Sequence, residues 1–168
     1  MFSRAEGNAN YLERMKQDGS GRAKVFPYPI MEIIGISPGR KWLMATVAYP
    51  EGDSVLPRVM IIPLDGGKPR RLCKTYCTPV WSSTGKFLFV PVEPSSQTTP
   101  GRSLAIPIGP GETLPDLPPE GIPLSAQPSV VPGSQSIDRA ELVPGKDLTH
   151  YAYVKTTSQR NLYRVSLP

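Results

Sequence analysis

The sequence predicts an all-β chain assembled from a repeated four-stranded unit of about 45 residues. Two observations carry that expectation. The chain aligns with itself: Ile36-Ser37-Pro38-Gly39-Arg40-Lys41-Trp42-Leu43 falls on Trp81-Ser82-Ser83-Thr84-Gly85-Lys86-Phe87-Leu88 at an offset of 45 residues. Met60-Ile61-Ile62-Pro63-Leu64 then falls on Leu104-Ala105-Ile106-Pro107-Ile108 at an offset of 44, so the period survives a second landmark. In addition, 21 Pro and 15 Gly in 168 residues punctuate strands and turns and disfavour a helical bundle.

Within the first unit the pattern gives strands over Met31 to Ser37, Lys41 to Tyr49, Arg58 to Leu64 and Lys68 to Cys73. Pro38-Gly39, Pro50-Glu51-Gly52-Asp53 and Asp65-Gly66-Gly67 supply the turns between them, because Gly accepts positive φ and Asp caps its own turn. Pro63 and Pro107 stand at strand ends, where a missing N–H costs little.

Partial units flank the two copies. Tyr11 to Ser20 reads as a third strand with its Asp18-Gly19 turn, placed like Asp65-Gly66, and Arg22 to Phe26 as a short fourth strand. Tyr11 and Met15 are also spaced for a helix, but the turn favours strand. Ile137 to Val143, Tyr151 to Lys155 and Leu162 to Leu167 give three further strands, the last alternating Tyr163, Val165 and Leu167 with polar residues. Residues 109–136 hold seven Pro and read as an extended or disordered surface loop.

Candidate chemistry is sparse. Gly35-Ile36-Ser37-Pro38-Gly39 matches the Gly-x-Ser-x-Gly nucleophile elbow. Pro38, however, has no N–H to give an oxyanion hole, and a strand rather than a helix follows. Cys73, Cys77 and the single His150 fall one ligand short of a structural zinc site. The two cysteines are open to two readings, a disulfide in an exported protein or two small buried residues. His150 reads as a surface or packed residue, and Trp42, Trp81 and Phe87 as repeat packing. No catalytic residue, cofactor or metal is expected.

The net charge of +5 comes from scattered bases, densest at Arg14, Lys16, Arg22 and Lys24 and at Lys68, Arg70, Arg71 and Lys74. They lack the interleaved aromatics that stack on bases, so no nucleic-acid partner is expected. No apolar run approaches the roughly 20 residues of a membrane span. Met1 to Gly7 lacks the apolar core of a secretion signal, so the compartment stays open unless an upstream signal or anchor sets it.

The Ser-Pro-x-x-Lys-Trp turn (Ser37 to Trp42), the Trp-Ser-x-x-Gly-Lys-Phe turn (Trp81 to Phe87) and Asp65-Gly66-Gly67 together resemble the TolB-like, WD40-like β-propeller repeats of bacteria. The Asp usual in those repeats' Ser-Pro-Asp-Gly-Lys-Trp turn is absent from both copies. The resemblance implies a partial propeller of antiparallel four-stranded blades, two whole and two incomplete. Its parts are a disordered N-terminus (1–9), the outer half of a blade (10–26), blades at 27–73 and 74–108, the Pro-rich loop (109–136) and an incomplete last blade (137–168). The tail Thr156 to Val165 with the Pro-rich insertion resembles the last blade of propellers attached to bacterial serine/threonine protein kinases, although no glycine-rich phosphate loop, His-Arg-Asp or Asp-Phe-Gly is present.

Too few blades are present to close a ring, so residues before Met1 or a second chain are expected to complete it. The function implied is a non-enzymatic protein-binding, sensory or scaffolding segment of a larger protein. Its rivals are the non-catalytic propeller of a prolyl-oligopeptidase-like peptidase or of a TolB-like periplasmic protein, and a self-contained β-sandwich.

Overall fold

The computed structural model describes residues 2–96, 99–111, 113–153 and 155. Among these the chain is all-β, with four antiparallel sheets following one another along the sequence. The first sheet holds β1 (Phe2–Glu6), β2 (Ala9–Arg14) and β3 (Ala23–Lys24). The second holds β4 (Ile30–Ile36), β5 (Trp42–Glu51), β6 (Ser54–Pro63) and β7 (Arg70–Arg71). The third holds β8 (Val80–Trp81), β9 (Phe87–Glu93), β10 (Arg102–Pro107) and β11 (Gln135–Ile137). The fourth is a hairpin of β12 (Leu142–Pro144) and β13 (Tyr151–Tyr153).

Each strand pairs antiparallel with its successor inside a sheet. Two hairpins close on two residues: Glu51 faces Ser54 across Gly52-Asp53, and Glu6 faces Ala9 across Gly7-Asn8. Both loops begin with a glycine at positive φ, 61° at Gly52 and 60° at Gly7, as the twist of such hairpins requires.

The sheets stack face to face, and side-chain alternation along β5 and β6 explains how. Leu43, Ala45, Val47, Met60 and Ile62 pack toward the first sheet, in a cluster with Leu12, Phe26 and Ile30. Met44, Val59 and Ile61 point the other way, into a cluster with Leu88, Val90, Leu104 and Ile106 of the third sheet. The third sheet repeats the arrangement, because Phe89 and Ala105 face Leu142 of the hairpin. Both faces of the central strands are therefore apolar, and β5 reads as a nearly continuous buried run. Each fully buried Leu, Ile or Val contributes roughly 1.5–3 kcal/mol through this burial.

Three sequence-based expectations need correction. Residues 1–9, expected to be disordered, include β1, because the Gly7-Asn8 turn lets residues 2–6 fold back on β2. The second unit does not end at residue 108: its fourth strand is β11, paired with β10 across the Pro-rich segment. Ile137 thus closes the third sheet, and the last hairpin starts at Leu142. The Pro-rich segment is also no detached surface loop. Leu117, Ile122, Ala126 and Val131 are buried in the cluster between the second and third sheets, so isolated apolar residues between prolines anchor it. The strand expected at Leu162 to Leu167 lies outside the described residues.

This insertion is tied to both sheets. Ile122 N–H donates to Leu72 C=O (2.9 Å), Lys74 N–H to Ile122 C=O (2.8 Å), and Ser125 N–H to Val92 C=O (2.8 Å). Arg70 donates to Leu117 C=O at 2.7 Å, and Trp42 Nε1–H to Thr113 Oγ1 at 2.9 Å. Gly121 permits the approach: its φ is 80°, and a Cβ there would lie 2.7 Å from the Cys73 carbonyl carbon.

Candidate functional site

The repeated turn is the first candidate, because it holds the serine of the elbow-like motif. Ser37 Oγ accepts hydrogen bonds from Lys41 N–H (3.2 Å) and Trp42 N–H (3.1 Å), and Ser82 Oγ accepts one from Phe87 N–H (3.0 Å). The backbone repeats in the same way. Ser37 N–H donates to Trp42 C=O and Ser82 N–H to Phe87 C=O, at 2.8 and 2.9 Å. Arg40 N–H donates to Ser37 C=O and Gly85 N–H to Ser82 C=O, at 2.8 and 3.0 Å. Arg40 and Gly85 also share the left-handed conformation, with φ of 54° and 70°.

The last hairpin repeats one of these bonds without a serine cap, Gly145 N–H donating to His150 C=O at 2.7 Å. The three turns adjoin. A Cβ on Gly85 would meet Pro38 at 3.5 Å, and Ser83 and Thr84 donate to the carbonyls of Gly145 and Lys146 at 3.4 and 3.5 Å.

Ser37 is buried and its oxygen serves two backbone donors, so it caps a turn and is not aimed as a nucleophile. His150 is exposed and belongs to another local knot. Its Nδ1 donates to Asp147 Oδ1 at 2.7 Å, and that oxygen also accepts from Thr149 N–H and Oγ1. The His150 and Thr149 donors hold the Asp147 carboxyl far below the usual carboxylate range. This is an Asx turn with a histidine on it.

Cys73 and Cys77 are joined as a disulfide with Cα atoms 6.3 Å apart, across the connection from β7 to β8. Among the described residues no group of three or more His, Cys, Asp or Glu gathers as metal ligands. Trp42 and Phe87 are both partly buried and face the next sheet along the chain, whereas Trp81 is buried between the second and third sheets. Some of the basic residues are engaged locally: Arg58 and Arg71 pair with Glu51, Arg22 with Glu13, and Lys24 sits 3.8 Å over the Tyr11 ring. No helix among the described residues is long and apolar enough to cross a membrane.

The stacking also brings together residues that the sequence did not single out. β4, β8 and β12, the first strands of three successive sheets, are neighbours, and among the described residues each keeps one unpaired edge. Met31, Ile33 and Ile36 on β4, Val80 on β8 and Val143 on β12 are exposed, Met31 to 62% and Val143 to 69%. Two clefts flank Val80. One, of about 340 Å³, runs between β4 and β8 past Ile36 and Glu32. The other, of about 320 Å³, lies between β8–β10 and the last hairpin, past Phe89, Leu142 and Glu141. Tyr153 lines the second cleft. The Arg139 guanidinium, 4.4 Å over its ring, hydrogen-bonds it and holds its hydroxyl below the usual phenol range. No local sequence signal marks these residues, which come from separate segments and meet only where the sheets stack.

No protein-family model, curated protein or solved structure matches this chain.

Proposed function

We propose that the chain is a non-enzymatic segment of a β-propeller and that it works as a protein-binding scaffold within a larger assembly. The observation that carries the reading is the constant sense of stacking. Trp42, Met44 and Ile61 face onward along the chain, and their repeat counterparts Phe87, Phe89 and Ala105 do the same. Leu43, Met60 and Ile62 face backward, as do Leu88, Leu104 and Ile106. A module repeated with one face always leading builds an array in which every unit contacts only its neighbours, the logic of propeller blades. The Ser37 turn, spent on internal hydrogen bonds, supports a structural role for the motif that most resembles a hydrolase elbow. The likeness of the tail to kinase-attached propellers makes the sensory or scaffolding end of a bacterial serine/threonine kinase the setting we favour.

Photo-crosslinking amino acids placed at Val143 on the first-strand edge, at Leu124 on the insertion and at Asp53 on a hairpin tip test the binding role in extracts of the source cells. One discrete protein adduct, confined to one of these positions, is the expected result. Adducts absent from all three, or turnover of ester or peptide substrates that Ser37→Ala abolishes in a still-folded chain, would overturn the reading.

A further inference from the structure

The two clefts flanking Val80 identify a kind of partner, and the inference rests on the reading of the chain as a protein-binding scaffold. Ligand sites for drug-sized molecules begin near 300 Å³. At about 340 and 320 Å³ each cleft has room for one bulky side chain and not for a large cofactor. Their walls are apolar: Ile36, Met44 and Trp81 in one, Phe89, Leu142 and Val143 in the other, with Val80 shared as the ridge between them. Charge separates them from the rest of the molecule. The chain carries 19 Lys and Arg against 14 Asp and Glu, yet among the described lining residues the charged ones are Glu32 in one cleft and Glu141 in the other. Arg139 stands over Tyr153, which itself lines the second cleft, so a cation of the chain's own lies near that wall.

We infer that this surface takes an extended polypeptide with two bulky apolar side chains, one per cleft, flanked by Lys or Arg that meet Glu32 and Glu141. The apolar anchors supply affinity, and the flanking cations supply orientation and selectivity, as in other peptide grooves. Both carboxylates lie on exposed residues, so the cations bind at the rim and their contribution is screened by salt.

The test uses the full chain and fluorescein-labelled probes Lys-Leu-(Ser)n-Leu-Lys with spacers of about one to six serines, since an extended chain covers ~3.3 Å per residue. Fluorescence anisotropy is expected to give saturable binding for at least one spacer. Exposed ion pairs are each worth up to about fivefold, so reversing both acids in Glu32→Lys/Glu141→Lys should weaken binding about tenfold. Should that variant fold poorly by circular dichroism, the neutral Glu32→Gln/Glu141→Gln pair gives a loss of about threefold to fivefold instead. Probes with Glu in place of Lys bind at least tenfold more weakly. Equal binding of the acid- and base-flanked probes, or no saturable binding at any spacer, overturns the inference. If the crosslinks from Leu124 or Asp53 still trap a protein, the scaffold reading survives without it; if none of the three positions does, both fall together.

Discussion

Replacing Ser37 with alanine separates a structural serine from a catalytic one. Its Oγ is the acceptor for Trp42 N–H at 3.1 Å and Lys41 N–H at 3.2 Å. Lys41 is exposed and can pass its donor to water, whereas Trp42 is half-buried at the start of β5, so alanine leaves one donor with restricted access to solvent. An unsatisfied donor of this kind costs about 1–3 kcal/mol, with about 2 kcal/mol at the middle of the range. For a chain of this length each kcal/mol moves the melting midpoint by about 2–4 °C, so Ser37→Ala should lower it by about 4–8 °C. Ser82→Ala should act similarly, since Ser82 is 1% exposed and accepts from Phe87 N–H at 3.0 Å. Asparagine at position 37 keeps an acceptor and should recover at least half of the loss. Thermal scans by circular dichroism measure all three variants. An alanine variant at 37 that melts within about 1 °C of the parent would refute the capping argument, and Ser82→Ala alone showing the drop would refute the equivalence of the two turns.

Further outcomes follow from single features. Arg40 holds a left-handed φ of 54° where its counterpart is Gly85. That conformation costs an L-residue about 1–2 kcal/mol, of which the extra freedom of glycine in the unfolded chain returns about 0.4–1. Arg40→Gly should therefore stabilise the chain by about 0.5 kcal/mol, and Gly85→Arg should destabilise it by about as much, in paired urea titrations. The Cys73–Cys77 bridge closes a short loop, with a sequence separation of 4. The chain-entropy argument assigns such a loop about 2 kcal/mol, so Cys73→Ser/Cys77→Ser should fall in stability by that amount and open residues 109–136 to limited proteolysis. Glu51, hydrogen-bonded by Arg58, and Glu93, hydrogen-bonded by Arg102, both titrate below their ordinary value near 4.5. Their stabilising contribution is intact above that value and is lost as pH falls through the lowered folded-state values. The melting midpoint should thus decline below about pH 4.5, and less steeply in Arg58→Gln/Arg102→Gln.

How much of this was legible in the sequence depended on local signals. The offset of 45 residues located Ser37 and Ser82, and the structure gives them matching hydrogen bonds. Strands expected at Met31 to Ser37, Lys41 to Tyr49 and Arg58 to Leu64 correspond to β4, β5 and β6, because apolar runs bounded by Pro-Gly and Gly-Asp turns leave little choice of register. β2 forms where strand competed with helix, the Asp18-Gly19 turn having pointed the right way. β1 had its own signal in Gly7-Asn8, a two-residue hairpin pair that polar neighbours obscured. The insertion was opaque for a different reason. Leu117, Ile122, Ala126 and Val131 are scattered among prolines with neither a two-residue nor a helical period, so their burial is decided by the groove they meet. β11, only three residues long, offers no alternation to read. The clefts beside Val80 arise from juxtaposed sheets and have no local signature at all.

The hydrogen bonds between Ile122 and the backbone of Leu72 and Lys74 bear on how the molecule behaves in a crowded solution. A bare β margin is a template on which another chain can add a strand, the usual start of fibril growth and precipitation in sheet-rich proteins. Here the chain lays its own backbone along that margin, and proline at position 123 denies the next N–H to any newcomer. Trimming the insertion would therefore unmask a seed for aggregation as well as loosen a contact.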